Sequence, residues 1–425
     1  MQIRFLGGAR EVGRSAILVN DSLLLDYGMQ SGTPPQFPVD SVDPDAVVAS
    51  HGHLDHVGLL PALLSGDRRP PIHWTPPTRD LTRLLAQDTL KLQGMAPGDH
   101  HKWNDRGGRY DCPFTHTEVA RLGEVSETHG YGEPFDAAGH EVTFFDAGHI
   151  PGSAHVLVDD GETSLLYTAD FNTEDQRLLS GTTARPDADV VLCESTYADV
   201  TRPDRATVEE GFARSVTQTI HEGGTVVVPA FAIGRTQEAM LVCDAYDVPC
   251  YVDGMGVAVT ERFRETPEFL RDPDAFGRAC GHARFVDAST RNGQRRRIAE
   301  KQTAIVTTAG MLAGGPAMTY VPAIAGNPQH KVAFTGYQVE GTPGRELLET
   351  GSAELDGRHR RVAAQVESHD FSAHADRDGL LAFLDEYRGS ELLVNHGDRC
   401  ADFAEELRAD GFAASAPELG ERVTV

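Results

Sequence analysis

Three imidazoles and one carboxylate fall within six residues at His51-Gly52-His53-Leu54-Asp55-His56. The stretch follows the apolar run Ala46-Val47-Val48-Ala49, which reads as a strand. It precedes an apolar segment at 57–64, which reads as a helix beginning near Asp55 and His56. A strand end gives His51 and His53 a pleat-fixed spacing, and imidazole with carboxylate is a donor set for zinc, manganese or iron. Further donors stand where other apolar runs stop. Leu23-Leu24-Leu25 runs into Asp26, Phe144-Phe145-Asp146-Ala147-Gly148 into His149, Leu165-Leu166-Tyr167-Thr168-Ala169 into Asp170, and Leu392-Leu393-Val394-Asn395 into His396. A single histidine at a strand end is ordinarily a hydrogen-bonded structural residue. Together, His51, His53, Asp55, His56, His149, Asp170 and His396 suit two adjacent metal ions with one carboxylate between them, and Asp26 supports them from outside.

Those donors need elements to hold them. Strands are read at 16–19, 23–26, 46–50, 142–145, 155–158 and 164–168, each closing in a polar or glycine-containing turn. After the apolar 189–194 run the character changes. Residues 205–221 and 236–245 read as helices, and 225–229, 248–252, 303–307 and 331–335 as strands, an alternation that predicts a small parallel-sheet domain. Strand-end donors then return: 362–367 leads to Phe371-Ser372-Ala373-His374-Ala375-Asp376, a helix follows through 385, and 391–394 ends at His396. The simplest architecture is one α/β domain, 1–197 and 366–425, interrupted by an inserted one at 198–365.

A chain of 425 residues has room for two or three domains with a real core. No window approaches eighteen uninterrupted apolar residues, and Met1-Gln2-Ile3-Arg4-Phe5-Leu6 reads as a first strand, so neither a membrane span nor a signal peptide is expected. Six cysteines without a C-x-x-C pair read as reduced, half-buried apolar residues, which points to the cytoplasm. Acidic residues number 64 against 38 basic ones, a net charge of −26, and lysine occurs at 91, 102, 301 and 331 alone. Repulsion on that scale is screened within about 3 Å near 1 M salt, so the composition predicts a halophilic, salt-rich setting. The acidity is uneven. Residues 198–365 hold 19 basic and 21 acidic residues, a net of −2 that leaves −24 for the rest, as befits a segment that faces a polyanion.

The whole pattern resembles the metallo-β-lactamase fold, an αββα sandwich, and its motif order resembles the β-CASP nucleases, whose inserted domain carries a mainly parallel sheet. The resemblance implies two Zn2+ per chain, one held by His51, His53, His149 and Asp170, the other by Asp55, His56, Asp170 and His396, with Asp170 bridging. Asp26 matches the carboxylate of the family's first motif. Glu194 in Cys193-Glu194-Ser195-Thr196-Tyr197 matches the acidic motif A, His374 in Ser372-Ala373-His374-Ala375-Asp376 matches motif B, and His396 matches motif C. Phe231-Ala232-Ile233-Gly234-Arg235-Thr236-Gln237-Glu238, Gly310-Met311-Leu312-Ala313-Gly314-Gly315 and Gly336-Tyr337-Gln338-Val339-Glu340 are similar to loops of the insertion. Gly7-Gly8-Ala9-Arg10-Glu11-Val12-Gly13 looks closest to archaeal homologues of the nuclease subunit of the cleavage and polyadenylation specificity factor.

That resemblance implies hydrolysis of RNA phosphodiesters to 5′-phosphate and 3′-hydroxyl products, in mRNA 3′-end processing or RNA decay. The paired metals acidify a water for attack on phosphorus, with Asp55 and Asp170 at the reacting centre, while His374 protonates the leaving oxygen and Glu194 orients it. RNA contacts are expected at Arg235, where Gly234-Arg235-Thr236 opens a helix, at Ser372, and at Arg291 and Arg295 in the basic run 291–297. Arg358, Arg360 and Arg361 form a second basic run, and Trp103, Tyr110 and Tyr131 lie in a loop region that could flank the metal site, with core or lid packing their expected role. A glyoxalase or lactonase has no need of the insertion or of His374. A DNA-processing β-CASP nuclease and a non-catalytic scaffold subunit are the alternatives. The first generally lacks a histidine where His396 stands, and the second would lack ligands that are all present here. Endonuclease and 5′–3′ exonuclease remain equally open, and site choice falls to the insertion, a homodimer or a partner in a processing complex.

Overall fold

A strand covered on both faces has no polar side, and Leu23–Leu25 and Ala46–Val48 are composed that way. In the computed structural model, which describes residues 1–32, 34–93 and 112–425, every residue of both strands is buried. Side chains alternate across a strand. Leu23, Leu25, Ala46 and Val48 therefore join Val156, Leu165, Tyr167 and Leu192 in one core, while Leu24 and Val47 join Leu59, Leu60, Leu64 and Trp74 in another. Leu166, Val191, Leu392 and Val394 turn toward Leu380, Phe383, Phe403 and Leu407 of the helices Arg377–Leu384 and Cys400–Ala409. Full burial of each such side chain contributes about 1.5–3 kcal/mol. The first core lies between two seven-stranded sheets, and the other two cover their outer faces. This is the αββα sandwich.

The chain gathers into two compact units, one of Met1–Glu174, Gly181–Thr201 and His374–Val425, the other of Asp175–Ser180 and Arg202–Ala373. In the first unit Leu23–Leu25 pairs in parallel with Ala46–Val48, and Val190–Glu194 pairs in parallel with both Ser164–Tyr167 and Glu391–Asn395. Asp26, the 51–56 segment, Asp170 and His396 thus follow the carboxyl ends of strands with a parallel neighbour, where α/β folds place their sites. His149 instead follows His140–Asp146, which pairs antiparallel on both sides. The expected continuous helix over 55–64 is instead one α-turn, Leu54–Val57, followed by a 3-10 helix, Leu60–Leu64. Pro61 has no N–H to continue the ladder, and the Leu59 N–H is taken by the Tyr27 carbonyl at 2.9 Å.

The second unit carries a six-stranded sheet whose strands pair in parallel throughout, in the order Arg284–Phe285, Cys250–Asp253, Ala304–Thr307, Val226–Pro229, Lys331–Phe334 and Gln365–Ser368. Its last strand begins later than expected because Arg358–Arg361 pairs with Ser352–Leu355 in a hairpin. The turn residues Asp356 and Gly357 have φ of 54° and 69°, the left-handed pair that suits a tight hairpin. Since Gln365–Ser368 belongs to this sheet, the insertion extends in space to Ala373 where the sequence reading drew 365. Residues 175–180 also belong to this unit. The buried Glu238 carboxylate accepts the N–H groups of Arg177 and Leu178 at 3.0 and 2.8 Å, and Arg205 pairs with it at 2.6 Å. No described helix is long and apolar enough to cross a membrane, and the six cysteines are free.

Candidate metal centre

Asp26 organises the site from behind. It is fully buried and follows directly on Leu23–Leu25. Its Oδ1 accepts the Ser50 N–H at 2.7 Å, and its Oδ2 accepts the Ser50 hydroxyl at 2.7 Å, His56 Nδ1 at 2.7 Å and the Tyr167 hydroxyl at 2.9 Å. A carboxylate can only accept, so Nδ1 of His56 carries the proton and Nε2 keeps its lone pair. Ser50 extends the same logic. Its single hydroxyl hydrogen goes to Asp26, so it accepts from Nδ1 of His51 at 3.1 Å and leaves that ring's Nε2 bare. At the other end of the site the Thr196 hydroxyl donates to the His396 carbonyl at 3.2 Å and accepts from His396 Nδ1 at 3.1 Å, which leaves Nε2 of His396 bare.

Two groups of donors result. His51, His53, His149 and Asp170 form one, and Asp55, His56 and His396 form the other, with the ligand atoms of each within 4.8 Å of one another. In the first, His53 Nδ1 stands 3.2 Å from His51 Nε2 and 3.0 Å from His149 Nε2. Asp170 joins the two groups. Its Oδ2 faces His51 at 3.5 Å and His149 at 3.7 Å, and its Oδ1 faces His56 at 3.3 Å and His396 at 3.2 Å. His56 Nε2, His396 Nε2 and Asp170 Oδ1 are buried without a hydrogen bond. Nε2 of His56 stands 3.3 Å from Asp170 Oδ1, and Nε2 of His396 stands 3.5 Å from Asp55. Buried polar atoms left without partners are costly, and a cation held among these groups would relieve them.

The electrostatics agree with that fit. Burial pulls His51 and His149 below the ordinary imidazole value and His53 down to about 3, which keeps them neutral, the form a metal binds. Burial also opposes charge on His56 and His396, but Asp170, joined by Asp26 at the first and Asp55 at the second, overrides it and holds both above the ordinary value. Asp55 and Asp170 are pushed up by burial and pulled further down by their histidine neighbours. Protons on these histidines offset the carboxylates in the place a cation would take.

Beside this cluster Glu194 and His374 form a pair. Glu194, 1% exposed, ends the strand Val190–Glu194 and accepts the N–H of Phe171 at 3.0 Å and of Thr196 at 3.2 Å. His374 Nδ1 lies 3.1 and 3.3 Å from its two oxygens, with the imidazole 4.5 Å from that of His149. The His374 loop is held by the Ala375 N–H on the Phe171 carbonyl at 2.7 Å, next to Asp170. Asp26, Ala169 and His396 have φ of 58°, 46° and 46°, and such left-handed non-glycine residues cost about 1–3 kcal/mol each, a strain that gathers at functional sites.

All of the predicted ligand residues come together. Sequence reading passed over Ser50 and Thr196, which set the tautomers of His51 and His396, Tyr167, which donates to Asp26, and Gly28. A Cβ on Gly28 would stand 1.7 Å from the Asp55 carbonyl oxygen, so only glycine lets the chain after Asp26 pass the motif loop so closely. The residues expected to touch RNA all belong to the second unit. Arg235 opens the helix Arg235–Ala245 as expected and donates to the Thr335 carbonyl at 3.0 Å, and Ser372 is buried with its N–H on Asp370 at 2.8 Å. Arg291 is exposed, whereas Arg295 is buried, with Nε and Nη2 on Asp253 at 2.7 and 3.0 Å. That guanidinium is already occupied in holding the helix Asn292–Ala299 to the sheet. Tyr131 packs against the inter-sheet core and donates to the Ser153 carbonyl at 2.8 Å, while Trp103 and Tyr110 lie outside the described residues.

Histidine and carboxylate donors gathered at the strand ends of an αββα sandwich define a metallo-hydrolase. Residues 9–208 match the metallo-beta-lactamase superfamily, 236–347 the Beta-Casp domain, and 360–417 the Zn-dependent metallo-hydrolase RNA specificity domain. The chain belongs to the metallo-β-lactamase superfamily, in its β-CASP branch. It is 34% identical over 439 residues to RNase aCSPSF2 of Saccharolobus solfataricus, an alignment that takes in 100% of this chain and 85% of that one. It is 31% identical to Probable RNase MJ4 of Methanocaldococcus jannaschii over the full length of both. The transcription termination factor FttA of the same organism is 30% identical over 96% of this chain and 69% of its own. A crystal structure of an Enterococcus faecalis protein of unknown function shares the fold, with a TM-score of 0.62 at 11% identity over 100% of this chain and 99% of the other.

The hydrogen bonds of Asp26 make a prediction. Asp26→Asn keeps the volume but presents an amide to donors that need an acceptor, so His56 loses its fixed tautomer. Zinc affinity is expected to fall about 10- to 100-fold, the usual cost of losing a group that orients a metal ligand. Competition titration against a chelator of known affinity measures it, and wild-type affinity would show that Asp26 is merely a core residue.

Proposed function

We infer that the protein is a zinc-dependent ribonuclease that hydrolyses RNA phosphodiesters to 5′-phosphate and 3′-hydroxyl products with two zinc ions per chain. The observation that carries this reading is Asp170, one oxygen turned to each donor group, with the Glu194–His374 pair adjoining. When bound, the zinc pair supplies Lewis acidity that acidifies a water and neutralises charge on the phosphoryl group. His51, His53, His149 and Asp170 hold one ion, and Asp55, His56, His396 and the same Asp170 hold the other. His374 delivers a proton to the leaving 3′-oxygen, and Glu194 holds its Nδ1 so that Nε2 faces the substrate. RNA is favoured as the substrate by the specificity domain matched at 360–417 and by the RNase names of relatives aligned over the whole chain.

The relation to a transcription termination factor supports a reading in which the cut serves formation of transcript 3′ ends or subsequent decay, made by the chain alone, as a homodimer or within a processing complex. The charge of −26 and the free cysteines suit a salt-rich cytoplasm. Incubation of 5′- and 3′-labelled RNAs at high KCl, with zinc and then with chelator, tests the reading. Zinc-dependent internal fragments identify an endonuclease, and mononucleotides released from the 5′ end identify an exonuclease. Intact RNA under every condition would remove the enzymatic reading.

A further inference from the structure

The two basic runs that lie far apart in sequence, 291–297 and 358–361, meet in the second unit at a cavity of about 480 Å³. The helix Asn292–Ala299 supplies Asn292, Arg295 and Arg296, the hairpin supplies Asp356 from its turn and Arg360 from its second strand, and the helix Ala317–Ile324 closes the far wall with Thr319. Arg295 is not free to bind. Its charge is met by Asp253, which also takes the Tyr320 hydroxyl at 2.8 Å, so this buried pair anchors the wall of the cavity. Arg296 and Arg360 are different, because neither guanidinium makes a hydrogen bond or ion pair among the described residues. The Nε of Arg360 is buried and without an acceptor.

A buried charged donor with nothing to donate to is unfavourable, and a ligand oxygen removes that penalty. Two guanidinium groups against the one carboxylate of Asp356 leave the cavity positive inside a chain of net charge −26. Such a pocket selects an anion by close contact, since long-range attraction to this protein is unfavourable. The planar arginine fork matches phosphate oxygens. The volume falls within the ~300–1,000 Å³ of small-molecule sites, so the pocket has room for more than a bare ion. Met318 and Pro322 supply apolar surface for the remainder.

We propose that this cavity binds a nucleotide phosphate, carried on an RNA chain or on a free nucleotide, through Arg296 and Arg360. The choice of nucleotides rests on the ribonuclease reading. The anion-binding role of the two arginines does not.

The test uses the zinc-loaded full chain and measures binding of a hydrolysis-resistant phosphorothioate RNA oligonucleotide and of AMP across a KCl series. The double variant Arg296→Gln/Arg360→Gln is expected to bind RNA on the order of tenfold more weakly, with the slope of log affinity against log salt reduced by about 0.7 for the one phosphate lost. Asp356→Asn, which keeps a residue tolerant of the left-handed turn, should bind more tightly, a gain that damage to the fold would not produce. Arg358→Gln, on the exposed part of the same strand, should change little. Parallel losses of RNA and AMP mean that a free nucleotide suffices, and loss of RNA with no AMP binding in any variant means that a phosphate of the chain is recognised. Unaltered RNA affinity and salt slope in the double variant, with no AMP binding, would overturn the proposal. Zinc-dependent hydrolysis of bis(p-nitrophenyl) phosphate should be unchanged by these substitutions. If RNA is never cleaved while AMP affinity still depends on the two arginines, the ribonuclease reading fails and the pocket stands.

Discussion

Asp170→Asn is expected to reduce RNA cleavage at least about 10⁴-fold, beyond the 10²- to 10⁴-fold that a single proton-transfer group supplies. The reason is geometric. Oδ2 faces His51 and His149 while Oδ1 faces His56 and His396, all within 3.7 Å, so each donor group is completed by one oxygen of the same carboxylate. An amide of the same shape keeps one oxygen and turns an NH2 toward the other group, where it repels a cation. Zinc content should therefore fall from two ions per chain to one or fewer, and elemental analysis alongside cleavage rates measures both quantities. A variant that retains two zinc ions and near-wild-type rates would remove the shared-carboxylate reading.

His374→Gln should lower kcat on RNA by about 10²- to 10⁴-fold while zinc content stays at the wild-type value. His374 is held by Glu194 and is not a member of either donor group described above, although it stands close enough to Asp170 and Glu194 to form a third set of donors. Leaving-group dependence separates a proton donor from a ligand. An alkoxide such as the ribose 3′-oxygen needs a proton to depart, whereas p-nitrophenolate does not, so the loss should be far smaller with a p-nitrophenyl phosphodiester. Glu194→Gln should show the same pattern in weaker form, since an amide can still accept from His374 and from one backbone N–H. Equal losses on both substrates, accompanied by loss of zinc, would make His374 a ligand and not an acid.

The candidate metal donors were legible because each is announced locally. Apolar runs of three to six residues read as strands, and a histidine or aspartate just beyond one has a strand end to stand on. Asp26, His149, Asp170 and His396 all obey that rule. Ser50, Tyr167 and Thr196 carried no such mark. Each is a common polar residue in or beside a buried strand, and each acquires its role from a partner 24, 141 or 200 residues away. The same blindness affected the arginines. In sequence Arg295, Arg296 and Arg360 are equivalent members of basic runs, yet Asp253 is reached by one of them and not by the other two.

Sequence alone was enough to name the candidate donors, the strands that carry them and the inserted parallel sheet, because hydrophobic periodicity and strand-end chemistry are properties of neighbouring residues; the αββα sandwich was implied by the family resemblance. Tertiary structure decided which imidazole nitrogen is left bare, that Asp170 turns one oxygen to each donor group, where the insertion ends and which arginines keep an unspent charge. Those are matters of distance between residues far apart in the chain, and only the closing of the sheets brings them within a hydrogen bond of one another.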